Sequence, residues 1–146
     1  MKSFTEEIRQ RGQKPSTRVV SLKKVKANKT ISRTLRIRQD EDIFSVVRLR
    51  LADDMPVALE TLKIAGHKVP GLTIDDVEGS LYDTLFNRFG IRIMQAKASI
   101  AATNVSERDR DLLQATAKTP CLLIKMLDLD QNGTPVMTAE CIYRSD

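Results

Sequence analysis

The dipeptide Asn132-Gly133 stands between two strand-like runs, CLLIKMLDLD (121–130) and TPVMTAECIYR (134–144). Asn-Gly supplies the positive φ values that a two-residue hairpin turn requires, so the two runs are expected to pair antiparallel. With Asn132 and Gly133 as the loop, Lys125 faces Glu140, Leu123 faces Ile142 and Cys121 faces Arg144. The charge match of Lys125 and Glu140 supports this register. Cys141 then pairs with Ile124 and sits on the opposite face from Cys121, so the two cysteines are not expected to bridge. That agrees with a reducing compartment.

A second hairpin is expected in RLRLADDMPVALE (48–60), within strands over 43–52 and 56–65. Strand side chains alternate, so Arg48 and Arg50 share one face while Val47, Leu49 and Leu51 share the other. A three-residue loop, 53–55, sets Arg48 against Glu60 and Arg50 against Ala58. A two-residue loop would send Glu60 to the other face. Two readings of that face stay open. It is a surface ion pair worth about 0–1 kcal/mol, or it is a polar ligand site. Guanidinium forks match the oxygens of a carboxylate or phosphate, and a neighbouring carboxylate accepts from hydroxyl or amino groups.

Ser3-Phe4-Thr5-Glu6 has the form of a capping box, predicting a helix to about Arg11 stopped by Gly12. Its first N–H groups, at Phe4, Thr5 and Glu6, either serve capping alone or face an anion. A strand is expected over 17–27, a short helical turn over 29–35, and a loop over 67–76, HKVPGLTIDD. GSLYDTLFNRFG predicts a helix over 80–89 that packs Leu81, Leu85, Phe86 and Phe89 inward. Ser80 is then an N-cap or a ligand-facing hydroxyl, and Tyr82 a core residue or a site wall. A strand over 91–103 and a helix from Ser106 to about Ala117 complete the order. An antiparallel α+β domain results.

The chain of 146 residues suits one domain. No apolar run approaches the roughly 20 residues of a membrane span, and MKSFTEEIRQRG lacks the apolar centre of a secretory signal. A cytoplasmic protein without membrane contact is expected. Two cysteines and the single His67 offer no metal-ligand spacing, and His67 in its Lys-rich loop is expected to be solvated. There is no Gly-rich phosphate loop, nucleophile elbow or Cys and His pair, so no cofactor and no catalytic residues are expected. Residues 1–50 hold 14 Lys and Arg against 5 Asp and Glu. Aromatic residues make up only 4% and no helix-turn-helix or RNA-binding signature accompanies the charge, so a solvated basic face is preferred to DNA binding by this chain.

SFTEEIRQRG, VVRLRLADDMPVALE, PGL, GSLYDTL with FG, PCLLIKMLDLDQNGTPV and AECIYRSD occur in the order seen in the UTRA domain. The chain resembles the effector-sensing C-terminal domain of GntR-family transcriptional regulators of the HutC subfamily. The resemblance implies a chorismate lyase-like fold, an antiparallel sheet flanked by helices, and a homodimer. It implies a winged helix-turn-helix ahead of residues 1–146, absent from this chain, through which alone DNA would be contacted. Family members usually continue past the YRxD run, so the end looks trimmed. Residue by residue, Arg48 and Arg50 match arginines that hold the anionic group of the effector, with Ser80 and the backbone at Ser3, Phe4 and Thr5. Glu60 and Tyr82 match residues that meet its polar body, and Tyr143 matches the tyrosine of the last strand. Members that recognise amino-sugar phosphates tend to carry an acid about six positions before that tyrosine. Met137 stands there, which the resemblance sets against an amino-sugar phosphate. The implied function is sensing of a small anionic metabolite, a sugar phosphate or carboxylate. The alternatives are a chorismate lyase-like enzyme and a dimerisation module without ligand.

Overall fold

The computed structural model describes residues 4–144. Ser3, the expected N-cap and site residue, therefore lies outside the described residues. The elements run α1 (Phe4–Gln10), β1 (Pro15–Lys26), α2 (Lys29–Leu35), β2 (Asp42–Ala52), β3 (Met55–Ala65), α3 (Ile74–Glu78), α4 (Leu81–Phe89), β4 (Gln95–Ala102), α5 (Glu107–Leu113), β5 (Cys121–Leu129) and β6 (Pro135–Arg144). A single 3₁₀ turn, Gly66–Lys68, follows β3. The strands form one antiparallel sheet in the order β1-β2-β3-β6-β5-β4. This is the α+β architecture expected.

Both hairpins have the expected face-to-face register but reach it through different turns. At the β5–β6 corner, Asp130 N–H bonds Thr134 O, so the loop is 131–133 with Gly133 at φ 73°, and not the two residues expected. An irregularity at Asp128/Leu129 absorbs the extra residue, and Lys125 faces Glu140, with Cys121 opposite Arg144. Asp130 holds this corner, accepting from Asn132 N, Thr134 N and Lys68 Nζ at 2.9 Å each. At the β2–β3 corner the loop is shorter than expected. Asp53 and Asp54 alone make it, at φ 47° and 65°, both in the left-handed region of a type I′ turn. A bulge after Arg50 restores Arg48 opposite Glu60 and Arg50 opposite Ala58. Asp53 Oδ1 accepts from Lys14 N at 2.8 Å and pins the corner to β1.

The main core lies on the sheet face that carries Phe44, Val46, Leu62, Ile64, Met137 and Ala139. Val69, Leu72, Val77, Leu81 and Leu85 of the α3–α4 region close over it. A second cluster joins Leu49 and Leu59 to Leu113 of α5 on the other face, where α2 also packs through Leu35 against Ile43. The α3 helix starts inside the expected 67–76 loop and runs past its end. Its start is marked by Thr73, whose N–H donates to Asp76 Oδ2 at 2.7 Å. Arg88 of α4 binds the same carboxylate and Gly71 O, tying the two helices together.

Three further expectations need correction. Phe86 is 48% exposed, its ring against the Arg92 guanidinium at 4.9 Å, because the α4 stripe that packs inward is Leu81 and Leu85. The 91–103 strand begins only at Gln95, since Ile91 turns back into the core and its N–H closes the end of α4 on Leu85 O. The α5 helix stops at Leu113, where Gln114 takes φ 55° and caps it with bonds to Arg110 O and Asp111 O.

Candidate effector site

A cavity of about 320 Å³ opens between the sheet, the first turn of α1 and the start of α4. Its wall includes Phe4, Thr5, Arg48, Arg50, Glu60, Ser80, Tyr82, Met137 and Tyr143, so every described residue that the resemblance assigned to the effector site lies on this one cavity. The sheet topology explains the convergence. Arg48, Glu60 and Cys141 form one cross-strand row, and Arg50, Ala58 and Tyr143 form the next, on adjacent strands β2, β3 and β6. Side chains two apart on a strand share a face, so all of these point to the same side.

The two arginines differ in what they hold. Arg48 is 2% exposed and fully engaged. Its Nε donates to Glu60 Oε1 at 2.7 Å, its Nη2 binds the same oxygen, and its Nη1 donates to Val77 O at 3.1 Å and Gly79 O at 3.2 Å. It thereby fastens the α3–α4 junction to the sheet. Arg50 is 5% exposed, yet its Nε has no hydrogen-bond partner. It approaches Glu60 Oε2 only to 3.8 Å and stacks on the Phe4 ring at 4.3 Å. Burial, with the Arg48 charge beside it, pushes its guanidinium down to about 10, against the pull of Glu60. It therefore stays cationic at neutral pH. A buried cation with an unused donor on a cavity wall is the chemistry that grips an anion.

The other polar groups are tuned by burial. The thiol of Cys141, in contact with Glu60 Oε2 at 3.7 Å, is pushed far up by burial and by that carboxylate, so it stays protonated and unreactive. Burial also raises the phenols of Tyr82 and Tyr143. Ser80 occupies the N-cap position of α4, but its side chain makes no capping bond and lines the cavity instead.

Glu7, Leu62, Leu81, Ile124, Met126, Asp128, Ala139 and Cys141 were not foreseen on this wall. Asp128 is the consequential one. It is 1% exposed, accepts from Tyr82 Oη through Oδ2 at 3.0 Å, and leaves Oδ1 without a partner. Burial pushes its carboxyl up to about 6 and Glu60 adds to this, against the hydrogen bond from Tyr82. Met137 faces Asp128 across β5–β6. At this level of the sheet β6 offers a thioether, and the carboxylate comes from β5.

The sequence profile of the UTRA domain matches residues 10–146. The chain belongs to the UTRA domain family. It is 28% identical over 144 residues to the HTH-type transcriptional repressor NagR of Bacillus subtilis (strain 168), covering 99% of this chain and 59% of that protein. It is 27% identical over 147 residues to the HTH-type transcriptional repressor PhnF of Mycolicibacterium smegmatis, covering 100% of this chain and 60% of that protein. The chain thus spans less than two thirds of the length of these relatives. The crystal structure of the effector domain of PhnF matches this UTRA domain with a TM-score of 0.91 and 27% identity, over 99% of this chain and 89% of that one. A GntR-family transcriptional regulator from Enterococcus faecalis V583 gives 0.81 and 25% identity, over 89% and 94%. Both curated relatives are HTH-type transcriptional repressors.

Proposed function

We infer that this UTRA domain senses a small anionic metabolite, a sugar phosphate or a carboxylate carrying hydroxyl or amino groups. The observation that carries this is Arg50, a buried cation with an unused donor on the cavity wall. In this reading Arg50 grips the anion, Ser80, Phe4 and Thr5 close around it, and Glu60, Tyr82 and Tyr143 meet the polar body. Arg48 holds Glu60 and the α4 start in place. The domain acts in the cytoplasm as a homodimer of a HutC-type regulator, coupled to a winged helix-turn-helix outside this chain. Effector and operator would favour different arrangements of that dimer, coupling by about 1–3 kcal/mol. Residues 1–146 alone carry only diffuse charge, which gives weak binding that falls steeply with salt, so no sequence-specific DNA affinity is expected of them.

Mass spectrometry of small molecules carried through native purification identifies the effector, and calorimetry measures its affinity. Removing a charged partner from a buried site costs about 2–5 kcal/mol, so Arg50→Ala weakens affinity more than about tenfold while the fold survives. Unchanged affinity in that variant overturns the reading.

A further inference from the structure

Asp128 has no role in gripping an anion, and its structural work is half done. A carboxylate buried only to hold Tyr82 would have both oxygens satisfied, because an unpaired buried oxygen carries the full desolvation penalty. Oδ2 takes the Tyr82 hydroxyl, while Oδ1 has no partner. The Tyr82 proton is committed to Asp128 Oδ2, which fixes the carboxylate and leaves Oδ1 as its free acceptor. This corner therefore presents an acceptor.

The register places that corner far from Arg50. Arg50 shares its row with Ala58 and Tyr143, whereas Asp128 shares its row with Met137 and Ile64. The rows of Glu60 and Leu62 lie between them, and so do strands β3 and β6. Along the strands this separates the two backbones by on the order of 20 Å before the side chains reach inward. Glu60 stands beside Arg50 at one end, and Leu62, Met126 and Ala139 line the stretch from the Glu60 row to Asp128, so the cavity has an ion-pair end with an unused donor, an apolar middle and an acceptor end.

We propose that Asp128, oriented by Tyr82, forms a second recognition subsite that selects effectors carrying an amine or hydroxyl donor remote from their anionic group. This deepens the anion-sensing function and rests on it. A molecule with both ends satisfies Arg50 and Asp128 together, whereas a simple anion leaves the carboxylate unpaired.

The test uses a ladder of ω-aminoalkyl phosphates, from aminobutyl to aminooctyl, each matched by the n-alkyl phosphate of the same length. A charge-assisted hydrogen bond in a buried site should make the amine probe about tenfold or more tighter at the length that fits. In Asp128→Asn the ratio between matched probes should fall to about one, and Arg50→Ala should weaken both members of every pair. In the wild-type protein, ¹³C NMR of the Asp128 carboxyl should show its titration moving to lower pH with the amine probe and staying in place with the alkyl probe. That readout does not depend on the variant folding. No preference for the amine at any length, a preference that survives in Asp128→Asn, or an unmoved Asp128 titration overturns the subsite and leaves the Arg50 site standing. Failure of every probe to bind, or binding indifferent to Arg50→Ala, overturns the anion site and the subsite with it.

Discussion

Replacing Arg48 and Arg50 in turn by Met separates a structural arginine from a binding one. Met preserves much of the apolar stem while deleting the guanidinium. At Arg48 the deletion breaks a buried pair with Glu60, which costs about 3–5 kcal/mol when one partner is removed. It also strands Val77 O and Gly79 O, each worth about 1–3 kcal/mol if left unpaired. Two effects offset part of this, since Glu60 is 13% exposed at its side chain and keeps Arg50 at 3.8 Å. A net loss of about 4 kcal/mol follows, a large share of the roughly 5–15 kcal/mol of a whole domain. For a chain of this length that lowers Tm by on the order of 10 °C.

At Arg50 the same substitution deletes a stacking contact with Phe4 worth about 0.5–2 kcal/mol. It also removes a buried cation with an unpaired Nε and relieves repulsion from Arg48. These terms oppose each other, and the change in stability should stay within about 1 kcal/mol. Urea unfolding followed by circular dichroism, with midpoints compared at equal slope, measures both variants. Equal destabilisation of the two, or a larger loss at Arg50, would refute this division of labour.

The remaining predictions follow from single positions. Asp128 is raised in the folded state, so between its unfolded value near 3.8 and about 6 the folded chain holds a proton that the unfolded chain has released; stability from this group is lost as pH rises through that window, by about 3 kcal/mol. Asp128→Asn should therefore gain on the wild type between pH 4 and pH 7 in parallel urea titrations, and a constant difference would count against the raised carboxyl. A Cβ added at Gly66 would meet Asp42 O at 2.5 Å, a backbone atom that cannot swing away, so Gly66→Ala should lose about 1–3 kcal/mol; an unchanged melting temperature would show that the β2–β3 end yields. Asp54 at φ 65° occupies the turn position that glycine fits best, so Asp54→Gly should raise stability by up to about 1 kcal/mol, whereas Asp53 must be kept for its bond to Lys14 N; a loss in Asp54→Gly would argue against the type I′ geometry.

The sheet was legible in the sequence because face alternation survives errors in turn length. In one hairpin the turn is a residue longer than expected and in the other a residue shorter, yet Lys125 faces Glu140 and Arg48 faces Glu60. A bulge inserts the compensating residue in each case. Bulges have no composition of their own, so neither was readable. The α3 helix was missed for a different reason. Pro70-Gly71 dominates its neighbourhood, and the Thr73 and Asp76 box that starts the helix uses Asp where Glu or Gln is the usual partner.

For the cavity, strand parity brought Arg48, Arg50 and Glu60 to one face, but no sequence pattern distinguishes an arginine that is fully bonded from one that is not. That difference depends on Val77 O and Gly79 O arriving from a helix junction some thirty positions away in the chain. Asp128 was hidden by its own alternation. In LDLD the leucines read as the buried face and the aspartates as the wet one, whereas Asp128 and Asp130 are 1% and 5% exposed. Asp130 is satisfied by its own turn and by Lys68, and the same bonds hold its carboxyl below the usual range despite burial. Asp128 has only Tyr82 and is shifted the other way. Two aspartates two residues apart, both buried, thus separate into one that stabilises a corner and one left with an unpaired oxygen on a cavity wall. Burial alone therefore does not mark a functional carboxylate here; the unpaired oxygen does, and that is why Asp128 rather than Asp130 is assigned to the ligand.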